Sequence, residues 1–361
     1  MRTGLIPLLL ICGLFYMGFG QEEKKEEFRP SGRVWGYAFG DLFYKIQGDS
    51  GRPKKWGDGE FSQLQKNYYA FSFRRIYLGY DYEITEKFSS KILLEGRDEV
   101  LIGTDRGVFI KLLLLKWKNA LPLADLLIGQ IPTPTWGAIS EKEWSYRSVE
   151  KTLLDFRKLG AAVDVGLALD GRIGGTGNYG YYLLIGNGRS AKPENNRLKK
   201  YYAQVYAKIL DKKLILESNL DFEPESGGKS KTTVEGFIGY QIGAINTGIT
   251  VTEQIQKQYQ SDSTNIVPMG VSFFVRGKLI PDKLNGFGRV DFFNPDLDYS
   301  ESISSKHYDE FFGVAGIDWT PHKNVHLIPN LWVNQYSDKR SIETKRGADI
   351  IPRITFFFEF K

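Results

Sequence analysis

From about residue 33 onward, apolar and polar positions alternate with a period of two, the period of side chains along a β-strand. The stretch from Gly270 to Lys278 is representative. Val271, Phe273 and Val275 point one way while Ser272, Phe274, Arg276 and Lys278 point the other, so one face suits hydrocarbon and the other water. The same pattern predicts about 16 strands: Arg33 to Ile46, Asn67 to Ile84, Lys87 to Asp98, Val108 to Lys118, Ala124 to Gln130, Arg157 to Asp170, Tyr179 to Asn187, Lys199 to Leu210, Lys213 to Phe222, Thr232 to Ile242, Ala244 to Gln256, Pro268 to Ile280, Lys283 to Phe293, Tyr308 to Thr320, Asn324 to Tyr336 and Asp349 to Lys361. One irregularity stands out. The apolar phase changes from Tyr69, Phe71 and Phe73 to Ile76, Leu78 and Tyr80, which predicts a β-bulge at Arg74-Arg75. In a regular strand only one of these arginines faces inward, and Arg75 is the choice.

The connections alternate in length. Thr85-Glu86, Asn119 to Leu123, Gly171 to Asn178, Asp211-Lys212, Gly243, Pro281-Asp282 and Pro321 to Lys323 are tight, and the others mostly run longer and are rich in Gly, Ser, Asn, Asp and Lys. Short turns at one end and long loops at the other, with an even strand count, are the pattern of an outer-membrane β-barrel with both termini in the periplasm. In the last strand Ile350, Pro352, Ile354, Phe356, Phe358 and Phe360 share one face and Arg353, Thr355 and Glu359 the other. Such an amphipathic, aromatic-ended strand looks like the signal read by the barrel-assembly machinery, although Lys361 follows the aromatic.

Composition agrees with an all-β transmembrane barrel. The 24 Phe, 20 Tyr, 7 Trp and 39 Gly occur in a chain whose net charge is only +5. Its mean hydropathy is negative, as expected where half of each strand is polar. Met1-Arg2, an apolar run from Leu5 to Phe15 and Gly18-Phe19-Gly20 make residues 1–20 a secretory signal peptide cut after Gly20. Residues 21–32, beginning QEEKKEEF, read as a charged periplasmic tether, and 33–361 as the barrel. The single cysteine, Cys12, lies in the signal, so the mature chain is expected to hold no disulfide and no thiolate.

Three stretches carry a family resemblance: Phe73-Arg74-Arg75-Ile76-Tyr77-Leu78-Gly79, Ile128-Gly129-Gln130-Ile131-Pro132-Thr133-Pro134, and Lys158-Leu159-Gly160-Ala161-Ala162 running on to Gly186-Asn187-Gly188. In order and spacing they resemble the phosphate-selective porin O/P family. The resemblance implies a 16-stranded outer-membrane porin, a homotrimer, and a third outer loop folded into the lumen. The third long connection, Ile131 to Phe156, is independently the longest. Trp136, Glu141, Lys142, Glu143, Tyr146 and Arg147 within it are the candidate constriction residues, with Trp144, Glu150, Lys151 and Asp155 beside them; the alternative is a loop packed over the rim.

Alternation turns Arg75, Lys91, Arg97, Lys111, Lys200, Lys208, Arg276, Arg289 and Arg353 toward the lumen, together with Glu95, Glu217, Asp221, Glu235, Asp291 and Glu359. Phosphate capture needs several basic donors with few competing carboxylates. The near balance therefore predicts general diffusion of small hydrophilic solutes with a weak anion preference, a phosphate-selective channel being the alternative.

Other chemistry finds little footing. His307, His322 and His326 are the only histidines, and no G-x-S-x-G or H-E-x-x-H pattern occurs, so no enzyme activity and no metal site is predicted, an enzymatic or plugged barrel being the further alternative to a diffusion channel. Asp164 and Asp170 lie too far apart along one strand, roughly 20 Å, to act as an acid/base pair. No clustered basic patch calls for nucleic acid, and no cofactor is expected. A soluble secreted β-protein such as a lectin would share the alternation but not the segregated loop lengths.

Overall fold

Alternating sequences with one apolar face must hide their backbone amides as well as sort their side chains, and closing the sheet on itself does both. The computed structural model describes residues 28–48, 61–62, 64–102, 105–261, 264–300, 308–340 and 346–361. The signal peptide and most of the tether lie outside these residues. The elements are β1 (Ser31–Tyr44), β2 (Tyr69–Glu83), β3 (Phe88–Ile102), β4 (Asp105–Leu121), β5 (Ala124–Pro132), β6 (Val163–Ile173), β7 (Tyr179–Gly186), β8 (Lys200–Ile209), β9 (Leu214–Pro224), β10 (Ser230–Ile242), β11 (Ile245–Ser261), β12 (Thr264–Ile266), β13 (Met269–Ile280), β14 (Leu284–Asn294), β15 (Tyr308–His322), β16 (Val325–Asp338) and β17 (Asp349–Phe360). The three-residue β12 pairs with the end of β11, and β13 pairs with the rest of it, so the two form one broken stave and the barrel has sixteen. Consecutive staves are antiparallel, and β17 closes on β1 from Gly36↔Phe360 to Phe43↔Arg353.

The outward face is apolar and carries two aromatic belts. Tyr80, Trp117, Tyr240, Trp319 and Phe358 are exposed near the tight-turn end, and Tyr44, Tyr201, Phe222, Phe292 and Phe311 near the long-loop end. Leu78, Leu113, Leu183, Val205, Ile238, Val275 and Leu331 fill the band between them. This is the arrangement that matches hydrocarbon flanked by headgroups.

Three expectations need correction. The sixth strand begins at Val163 rather than Arg157, because Leu153–Phe156 is a short helix and Arg157 is drawn away into a buried ion pair. The third strand runs on to Ile102 and the fourth begins at Asp105, both past the expected ends at Asp98 and Val108. The bulge is present, with the register slipping between Phe39/Asp41 of β1 and Arg75/Ser72 of β2. Its extra residue turns both Arg74 and Arg75 inward, where regular alternation would have allowed one.

Gly129 in β5 shows how closely adjacent staves approach. Its φ of +122° disfavours any side chain, and a Cβ there would lie 2.2 Å from the Leu113 carbonyl oxygen. Gly129→Ala is expected to cost about 2 kcal/mol or more, read as a lower urea midpoint of the vesicle-refolded barrel. An unchanged midpoint would mean the stave gives way freely.

Candidate functional site

The connection from β5 to β6 turns into the barrel. Pro132 and Val163 still face each other as the last ladder pair. Between them Pro134, with φ fixed for a helical first turn, opens α1 (Pro134–Gly137). Ala138 breaks the helix with extended backbone before α2 (Ile139–Trp144), Ser145 ends α2 in the left-handed conformation, and α3 (Leu153–Phe156) follows.

Walls from across the barrel hold this loop. Glu217 on β9 accepts the backbone N–H groups of Ile139 at 2.8 Å and Ser140 at 3.0 Å, the amides that the start of a helix leaves unpaired. Arg276 on β13 donates to the Glu143 carbonyl at 2.5 Å, Arg289 on β14 to the Lys151 carbonyl at 2.5 Å, and Arg353 on β17 to the Val149 carbonyl at 2.6 Å. Arg74 donates to the Ser148 carbonyl, and Trp332 Nε1 donates to Glu150 at 3.0 Å. Arg157 at the loop's far end pairs with Glu310 on β15 at 2.5 Å. Aromatic packing completes the anchorage: Tyr146 stacks on Phe287 with centroids 4.2 Å apart, and Phe156 meets Phe312 at 5.0 Å.

The candidate constriction residues occupy distinct places. Trp136 lies between Lys111 and Arg147, whose charged groups are 5.3 and 5.9 Å from its ring. Arg147 is held within the loop by Glu141 at 2.9 Å and Asp155 at 2.6 Å, and Thr152 donates to Glu141 at 2.6 Å. Burial would raise the Asp155 pKa, but Arg147 and Lys151 outweigh it and hold the carboxyl well below the usual range. Glu143 faces Arg276 at 3.7 Å, Tyr146 donates to Asp318 at 3.3 Å, and Lys142 is solvent-exposed. Many of the loop's charges are thus spent on pairs with one another or with the wall rather than left facing across open lumen.

The candidate wall cations lie on the inner face, mostly partnered. Glu95, fully buried, sits 3.0 Å from Lys111, 3.7 Å from Arg97 and 3.9 Å from Arg75. Lys91 pairs with Asp81 at 3.3 Å, Lys200 with Asp221 at 3.1 Å and Glu223 at 3.2 Å, and Arg289 with Asp291 at 2.5 Å. Arg353 also donates to Asn330 at 2.5 Å, and the Lys208 ammonium is 5.5 Å from the Tyr206 ring centroid. Among the carboxylates, Glu235 accepts from Asn219 at 2.9 Å and Glu359 pairs with Lys361 at 2.8 Å.

Alternation misses Arg74, Asp41 and Arg157. Asp41 is fully buried, 2.5 Å from Arg74, and in phase with inward Phe39 and Phe43, a signal the sequence does contain. Nothing in the sequence marks Arg157 as the partner of a residue 153 positions away.

No protein-family model and no curated protein matches the sequence. Solved structures do. The outer membrane channel DcaP of Acinetobacter baumannii superposes with a TM-score of 0.69 at 11% identity, over 92% of this chain and 99% of that one. The anion-selective porin from Comamonas acidovorans gives 0.64 at 10% identity, over 92% and 100%. The chain has the sixteen-stranded porin fold. OmpT of Vibrio cholerae shares it, with a TM-score of 0.63 at 11% identity over 93% of this chain and 99% of that one. At such identities the likeness carries the porin fold alone, and it does not single out phosphate-selective O/P porins.

Proposed function

We propose that the chain is a bacterial outer-membrane porin for passive diffusion of small hydrophilic solutes, with a weak preference for anions. The observation that carries this reading is the barrel's cross-section: an apolar, aromatic-belted outside, an inside lined by charges of both signs, and one long loop drawn across the interior and tied to opposing walls. A loop so placed narrows the interior, and its charged surface and the charged wall suit the passage of small hydrated solutes. Among the described residues, cavities of about 330 to 400 Å³ open at both ends, one beside Arg74, Arg75 and Arg97 at the long-loop end and one beside Tyr146 and Arg276 at the tight-turn end. Export with removal of residues 1–20, insertion through the C-terminal strand by the assembly machinery, contact with outer-membrane lipid and assembly as a homotrimer belong to the same reading. The anion-selective neighbour from Comamonas is consistent with the weak anion preference.

The convergence of Arg75, Arg97 and Lys111 favours a second reading, an oxyanion-selective channel akin to the O/P porins. Glu95 at its centre weighs against it, because an arriving phosphate must displace or tolerate a carboxylate already holding all three donors. Single-channel conductance of the refolded protein in a planar bilayer, with reversal potential under a salt gradient, separates the readings. Stable steps with weak anion selectivity support the general porin, and block by millimolar phosphate with strong anion selectivity supports the second. Absence of conductance from a folded barrel would overturn both in favour of a plugged barrel.

A further inference from the structure

A second cavity at the tight-turn end has walls unlike those of the rest of the interior. It measures about 250 Å³ and opens below the folded loop between β1, β15, β16 and β17. One side is aromatic. Tyr37 and Phe357 line it with ring centroids 5.9 Å apart, Tyr37 is stacked on Trp35 at 6.3 Å and 13°, and the His326 ring meets Phe357 at 5.3 Å. The rim is polar and of both signs. Asp318 takes the Tyr146 hydroxyl at 3.3 Å and lies 2.8 Å from His326 Nδ1, Glu359 stands at the mouth, and Arg147 comes from the loop.

Aromatic rings beside a mixed set of donors and acceptors define the ligand chemistry. Asp318 and Glu359 repel small anions, and Arg147 and His326 offer nothing to a cation. A neutral molecule with one apolar face and a girdle of hydroxyls satisfies both sides: its C–H face lies on the aromatic rings, and its hydroxyls donate to the Asp318 and Glu359 carboxylates. The volume falls below the roughly 300–1,000 Å³ of pockets for drug-sized ligands, so the fit is to a single ring. We infer that this chamber is a recognition subsite for a neutral monosaccharide ring at the tight-turn mouth of the barrel, which rests on the porin reading only in making that sugar a solute in transit.

Binding and conduction are therefore measured apart. Isothermal titration of the refolded full chain, in an amine-oxide detergent with no sugar headgroup, is expected to show binding of D-glucose, of the order of millimolar, and none of the acyclic polyol sorbitol. Tyr37→Leu and Phe357→Leu keep apolar bulk but remove a flat face, and each is expected to weaken binding about three- to tenfold. In the planar bilayer, glucose should lower ionic current over the same concentration range. A folded barrel that treats glucose and sorbitol alike, that binds benzoate in preference to glucose, or whose two leucine variants bind glucose as the parent does would overturn the inference. Glucose binding without conductance would instead remove the porin reading and leave the subsite standing, while conductance without glucose binding would do the reverse.

Discussion

Glu95→Gln is expected to move the reversal potential decisively toward the anion equilibrium value in a salt gradient. Glu95 is fully buried on the inner wall and is the shared partner of Lys111, Arg97 and Arg75 at 3.0 to 3.9 Å. Removing its charge while keeping its shape leaves three cations facing the interior with one fewer carboxylate among them. An arriving chloride or phosphate then meets the same cations with less competing negative charge among them. Stability should fall as well, by about 3 kcal/mol, because removing one member of a buried ionic cluster leaves its partners undercompensated. The urea midpoint reads that loss independently of selectivity. An unchanged reversal potential in a folded variant would mean that solutes do not pass this cluster, and the permeation path would have to run elsewhere.

Excision of the folded loop should have the other large effect. Pro132 and Val163 remain paired at the loop's base, so residues 134–161 are replaceable by a short Gly-Asn turn without disturbing the ladder. The buried aromatic cluster of Trp144, Tyr146 and Phe156 leaves with the loop, as do the bonds from Glu217, Arg276, Arg289 and Arg353. Those wall groups become solvated by lumen water rather than stranded, and the closed strand ladder, which satisfies the backbone, is untouched. Conductance should therefore rise severalfold while the barrel still refolds. Equal conductance with and without the loop would show that the loop does not limit flow.

Much of this architecture was legible in the chain. Period-two alternation places the staves to within a few residues because only one face of each can meet hydrocarbon, and a slip of one residue would reverse every side chain. Tight turns such as Gly243 and Pro281-Asp282 are where the backbone must reverse at once, and the observed strands end there. Even the bulge at Arg74-Arg75 shows as a phase change, although its consequence, two inward arginines paired around Asp41 and Glu95, depends on the register with β1 and β3.

The reading fails where local period and long-range pairing compete. Arg157 to Ala162 continues the alternation of the sixth strand, yet Arg157 is taken by Glu310 and Leu159 by Gln254, so the strand starts only at Val163. Likewise the loop's charged residues suggested groups facing open lumen, whereas Glu141, Arg147 and Asp155 close on one another. The sequence by itself determined the number of staves, their facing and the existence of a long third loop, since each follows from neighbours along the chain. Only the tertiary structure decided which carboxylate meets which arginine, because closure brings residues from opposite halves of the chain to within hydrogen-bond distance, and no local pattern encodes that geometry.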